Sequence, residues 1–310
     1  MSATATSLSP EDNRELLEAV AAAFDASREG DQRGLQQAKR EVALALAGHP
    51  VLIAVSDGRP SCEPGPSGGV MLAFSDSEAA SAWARSRHPA APPSELASTS
   101  ELAAGGASRK LWLQWLAELG ANSVALNPAG PLGSVVHEDE LRTTRPRLLR
   151  RGAARADHPW LDVSARETER ARAGRLLETL TEAIGQGDRQ AFGQIEGELS
   201  GVNEIGSLLW AAELQVLSGR RQLAEGNAKD GLYQMIYGSF GWGRFGDPYR
   251  CTDGLIEAGG LLLERRDSAP QDDDWQASYL SELCDVLARV ATGYRDQDVT
   301  QLLAAAPERR

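Results

Sequence analysis

The chain has 310 residues, of which 42% are hydrophobic and 25% charged, and its formal net charge is -12. That composition is the composition of a folded chain and excludes wholesale disorder, while the length suits two domains. The acidic balance excludes a general DNA-coating or membrane-coating role, since both need a broad basic surface, and it suits a basic partner.

The first predicted element is a helix entered at Ser9, with Pro10 at its first position and Glu11 and Asp12 complementing the positive end of the dipole. Leu16, Leu17, Val20 and Phe24 make its apolar face. Gly30-Asp31 ends it and opens a second helix, carrying Leu35, Ala38, Val42 and Leu46, which Gly48-His49-Pro50 stops. Two strand-like runs follow, Val51–Val55 and Val70–Phe74, apolar at every position. Such strands are covered on both faces. The Gly, Pro and Ser between them predict a loop over 56–69.

Ser75-Asp76-Ser77-Glu78 reads as a capping box at the start of a helix with Ala79, Ala82 and Trp83 inward. A further helix is expected from about Ser108 to Leu119, stopped by Gly120. Short strands are expected at Ser123–Leu126, ended by Asn127-Pro128, and at Gly133–His137. Helices and strands mixed in this way predict an α+β domain rather than a regular alternating fold. From Leu141 to Arg155 come Arg142, Arg145, Arg147, Arg150, Arg151 and Arg155. No aromatic residues interleave with them to stack on bases, so they read as a linker rather than a nucleic-acid contact. From Ser164 onward only helices are expected, opening on a second capping box, Ser164-Ala165-Arg166-Glu167. The organisation is therefore an α+β domain over 1–145, an Arg-rich linker over 146–163 and an all-α domain over 164–310.

Candidate chemistry is sparse. The cysteines, Cys62, Cys251 and Cys284, are odd in number and widely spaced, which is no disulfide framework, and no neighbouring His or Lys activates Cys62. His49, His88, His137 and His158 stand singly, with no metal-ligand spacing, so no metal and no cofactor are expected. The N-terminal residues show no secretory signal, and no apolar run approaches the ~20 residues of a membrane span. A cytoplasmic, soluble protein is expected. A repeat of Leu-Leu-Glu followed by Gly-Asp, at Leu16 and again at Leu176, reads as the grammar of helix hairpins.

Gly241-Trp242-Gly243-Arg244-Phe245-Gly246 has the letters of a dinucleotide fingerprint, but no strand precedes it and Asp247-Pro248 follows at once. Aromatic residues are 5% of the chain, yet Tyr237, Phe240, Trp242, Phe245 and Tyr249 crowd among these glycines. They read as an aromatic loop. Either it folds over the helical core, or Phe240, Trp242, Arg244, Phe245 and Tyr249 serve as partner-binding anchors, with Trp242 or Phe245 exposed.

One resemblance emerges. Phe74-Ser75-Asp76-Ser77-Glu78, with Trp83 in the helix that follows, and a later strand ending in Asn127-Pro128, resemble the N-terminal domain of the SseB family over roughly residues 12–140. The stretch over 86–100 and the helices before Val51 depart from it. The resemblance implies an α+β domain with no catalytic residues to carry over, and Phe74, Trp83, Asn127 and Pro128 in structural roles. It implies a non-catalytic cytoplasmic interaction or accessory protein with a protein partner. The alternative is an immunity-type protein whose acidic face neutralises a basic effector; an enzyme of unrecognised type comes third.

Overall fold

A computed structural model describes residues 8–103, 108–130, 132–143, 162–188, 190–195, 197, 208–268 and 273–305. An N-terminal region of helices on a mixed sheet is followed by an all-helical region. The boundary expected over 146–163, and the arginines beyond Arg142, fall almost wholly outside the described residues.

The chain enters through a short 3-10 turn, Pro10–Asn13, where the Asp12 carboxylate accepts from the Ser9 amide and hydroxyl. Helices α1 (Arg14–Arg28) and α2 (Gln32–Gly48) form a hairpin; Asp31 caps α2 by accepting from the amides of Arg33 and Gly34. Strand β1 (Leu52–Ser56) turns through Asp57 and Gly58, both with positive φ, into β2 (Arg59–Pro60), and β3 (Cys62–Glu63) follows. Two successive residues at positive φ make the tight turn that matches strand twist. The segment expected as loop thus holds two short strands, β2 pairing with β1 and β3 with β4 (Gly69–Phe74). Helix α3 (Ser77–Ser86), strand β5 (Glu95–Ser98), the single turn α4 (Thr99–Leu102), helix α5 (Arg109–Leu119), strands β6 (Ala121–Leu126) and β7 (Ser134–His137) and helix α6 (Glu138–Thr143) complete the region. The sheet runs β2-β1-β4-β6-β7, with β5 added on β1; β4 and β6 are parallel and the other pairs antiparallel.

The second half holds α7 (Val163–Gln186), a helical stretch over 190–195 (α8), α9 (Leu208–Ala224), α10 (Ala228–Arg244), α11 (Pro248–Ser268), α12 (Asp273–Val290) and α13 (Asp296–Ala304). Two caps differ from the sequence reading by one or two positions. Asp76, not Ser75, caps α3, and Asp162, not Ser164, caps α7. Ser75 instead donates to Asp76, and Glu78 turns to the arginines of α7, because a long-range ion pair competes with local capping.

The continuously apolar strands have cover on both faces. Ile53, Val55, Met71, Ala73, Val124 and Leu126 pack with α1, α2 and α5. Leu52, Ala54, Val70, Leu72, Phe74 and Ala125 share a second core with α3 and with α9 to α13. The helical half is therefore the second cover of the sheet, and one continuous apolar cluster joins the two regions. Each fully buried large side chain in it contributes about 1.5–3 kcal/mol.

The expected aromatic loop is not a loop. Residues 237–244 are the last turns of α10, and only Phe245 to Asp247 form a connection, with Gly246 at φ 83. The glycines serve close packing. A Cβ on Gly238 would lie 2.7 Å from Val216, one on Gly241 3.0 Å from Ala212, and one on Gly243 2.9 Å from Pro66. Helix α10 needs them to approach α9 and the β3–β4 connection.

Candidate functional site

The residues singled out from the sequence divide by burial. Phe240 and Trp242 are 3% and 5% exposed and belong to the shared core. Neither is available as a surface anchor, because α10 turns that face toward α9 and the sheet. Phe245 is half-buried and packs on the same core; Tyr249 is half-buried; Arg244 is exposed. Phe74 and Trp83 sit 5.3 Å apart between their centroids, inside the core, and Arg87 lies over the Trp83 ring at 4.4 Å.

Asn127 sits at the ends of the parallel strands β4 and β6. Its backbone is left-handed, at φ 48; its Oδ1 accepts from the Ser75 amide at 2.9 Å, and its Nδ2 donates to the Ser75 hydroxyl at 3.0 Å. Pro128 offers its carbonyl to the amide of Leu209, at the start of α9. Beside this junction Arg166, 1% exposed, donates to Asp76 at 3.1 Å and lies 3.6 Å from Glu78, which also pairs with Arg170. These contacts cross between the two regions.

A second cross-region cluster lies where α11 meets the α3–β5 connection. His88 Nδ1 accepts from the Ala90 amide at 3.1 Å, which assigns the proton to Nε2, 3.0 Å from Asp253. His88 stacks with Tyr249 at 5.9 Å and meets Tyr294 edge-on at 5.3 Å, while Arg295 holds the other Asp253 oxygen at 3.1 Å. Nearby, removal from water pushes the carboxyls of Glu63, Asp247 and Glu213 up; arginines 87 and 250 pull back, Arg87 on Glu63 and Asp247, Arg250 on Asp247 and Glu213. The ion pairs are loose, 3.7 Å for Arg87–Glu63 and for Arg250–Asp247. Burial likewise raises the thiols of Cys62, Cys251 and Cys284, the last to about 11, which holds them as thiols at neutral pH.

The surface feature that the sequence reading missed lies on α10 and α12. Tyr233 is 40% exposed, the most open large hydrophobic side chain among the described residues. Its ring lies 4.4 Å from Tyr237 and 6.1 Å from Tyr279, which in turn lies 5.3 Å from Trp275. Of the five tyrosines in the chain, three meet here. Tyr237 donates to Glu282 at 3.0 Å. The signal in the sequence was the i, i+4 spacing of Tyr233 with Tyr237 and of Trp275 with Tyr279, which puts each pair on one side of a helix. No helix among the described residues is long and apolar enough to cross a membrane, and the same residues contain no group of three or more His, Cys, Asp or Glu placed to hold a metal ion. Comparison with protein-family models, curated proteins and solved structures finds no match for this chain.

Proposed function

We propose that this chain is a non-catalytic interaction or accessory protein of the cytoplasm, of the SseB-like type that residues 12–140 resemble, and that it docks a protein partner through the tyrosine face of α10 and α12. The observation that carries this reading is Tyr233 at 40% exposure, ringed by the half-buried Tyr237, Tyr279 and Trp275. Tyrosine and tryptophan supply large contact area at low entropic cost and dominate interface energetics. The test is capture from native lysate with the wild-type chain and with a Tyr233→Ala/Tyr279→Ala variant, read by mass spectrometry. Partners held by the wild type and lost by the variant support the reading; an identical set of partners overturns it.

The net charge of -12 favours a second reading, an immunity-type protein that covers a basic effector. Stoichiometric rescue of growth on co-expression with such an effector would distinguish it from the accessory reading. The enzymatic reading asks for titratable groups pushed in opposite directions, one acid and one base. Glu63, Glu213 and Asp247 are all pushed the same way, by the same burial.

A further inference from the structure

We propose that the tyrosine face is a cation-recognition site, docking a lysine- or arginine-rich segment of a protein partner with basic side chains seated on Tyr233 and Tyr279 between the carboxylates of Asp230 and Glu282. This rests on the docking reading above and names the chemistry of the occupant.

The rings come first. The exposed Tyr233 ring lies 4.4 Å from Tyr237 and 6.1 Å from Tyr279, both half-buried against the core, so a cation over Tyr233 sits beside further aromatic rings. An aromatic face carries negative potential, and a cation is drawn to it. The phenols of Tyr237 and Tyr279 are held in the neutral form. The hydrogen bond to Glu282 raises Tyr237, and desolvation with the charge of Asp230 raises Tyr279.

The rim comes second. Asp230 stands one turn before Tyr233 on α10, and Glu282 one turn beyond Tyr279 on α12; both are exposed. Glu282 already accepts from the Tyr237 hydroxyl, and its second oxygen has further acceptor capacity. Lys229 and Arg244 lie towards the two ends of the same stripe of α10. Asp230 and Glu282 place negative charge beside the Tyr279 ring. The excess of negative charge over the whole chain then steers a basic segment toward it and repels nucleic acid and anionic lipid.

The experiment uses the full chain and fluorescein-labelled dodecapeptides of alternating Lys-Ser, Arg-Ser, Leu-Ser and Glu-Ser, read by anisotropy at 50 and 200 mM salt, with melting curves on every variant. Basic peptides are expected to bind, with Leu-Ser and Glu-Ser weaker by about tenfold or more. Tyr233→Ala/Tyr279→Ala is expected to weaken binding by about tenfold, or some threefold to fivefold per ring. Asp230→Asn/Glu282→Gln is expected to weaken it similarly, and Lys229→Glu to strengthen it. The control Glu29→Gln/Glu118→Gln removes two exposed acids from the N-terminal region and is expected to change little. Equal weakening by that control and by Asp230→Asn/Glu282→Gln means attraction to the net charge alone and overturns the proposal. So does binding of Leu-Ser as tight as Lys-Ser. Loss of lysate partners in the tyrosine variant, with basic peptides bound undiminished, sinks the cation chemistry while keeping the docking face. Tyrosine-dependent peptide binding with lysate partners unchanged keeps the cation site and sinks the docking role.

Discussion

At the scale of single residues, Asn127 shows how one side chain closes a fold. It adopts a left-handed backbone that asparagine tolerates better than most residues, and its amide satisfies both the backbone and the hydroxyl of Ser75, at the end of the neighbouring parallel strand. Asn127→Ala leaves a buried Ser75 amide without an acceptor and forces alanine into the left-handed region. The expected loss is about 2–4 kcal/mol in urea denaturation. Asn127→Gly removes the same hydrogen bonds without the backbone cost, so it is expected to be milder by about 1 kcal/mol. Equal losses for the two would show that φ contributes nothing.

A second residue-scale prediction concerns protons. The folded pKa of Glu213 lies above its ordinary value, chiefly because burial penalises the charged form. The folded state therefore holds its proton to higher pH than the unfolded state. Its contribution makes stability fall as pH rises through the raised pKa, and the penalty is fully present above it. Glu213→Gln is expected to melt at or above the wild-type temperature at pH 7.5, with the advantage shrinking toward pH 5. An advantage that grows with acid would reverse the sign and the argument.

At the scale of elements, α10 carries the lesson. Glycines at 231, 238, 241 and 243 lower its helix propensity by about 1 kcal/mol each, yet it forms a helix of 17 residues. The gain is the close approach of α9 and of the β3–β4 connection, where a Cβ at any of these positions would come within 3.0 Å of a neighbour. Trp242 projects into the core that this approach creates. Trp242→Ala is expected to destabilise by about 3–5 kcal/mol, seen as a lowered denaturation midpoint. Arg244→Ala, on the exposed side, is expected to stay within about 0.5 kcal/mol. A Trp242→Ala variant with unchanged melting and lost partner capture would return the ring to the interface.

At the scale of the whole molecule, the sheet has two covers and the second comes from the other half of the chain. Leu52, Val70, Leu72 and Phe74 face helices that begin more than a hundred residues later, and the buried Arg166–Asp76 pair spans the same divide. Breaking a buried pair from one side typically costs about 3–5 kcal/mol, which ties the regions further. Trypsin has arginine sites across 142–155. Nicking there is expected to leave both fragments associated on a native gel and co-eluting in gel filtration, and residues 1–145 alone are expected to lose fixed tertiary packing, read by near-ultraviolet circular dichroism. Separation into two folded fragments would show that the shared core contributes little.

The sequence by itself determined what is local. The helix hairpin before Val51, the strands at Val51–Val55 and Val70–Phe74 with both faces covered, the stop at Gly120 and the helix-only second half follow from periodicity, caps and propensity, which act over a few residues. It also carried the net charge of -12. Tertiary structure alone decided which element covers which. The second cover of the sheet, the shift of the caps to Asp76 and Asp162, and the strand at Glu95–Ser98 depend on pairings across long stretches of chain, and no local pattern encodes them. Glycine with aromatic residues had two physical uses, a turn or a close helix contact, and the composition is the same for both. Only the approach of α9 selected the second, burying Trp242 while Tyr233 of the same helix stays exposed.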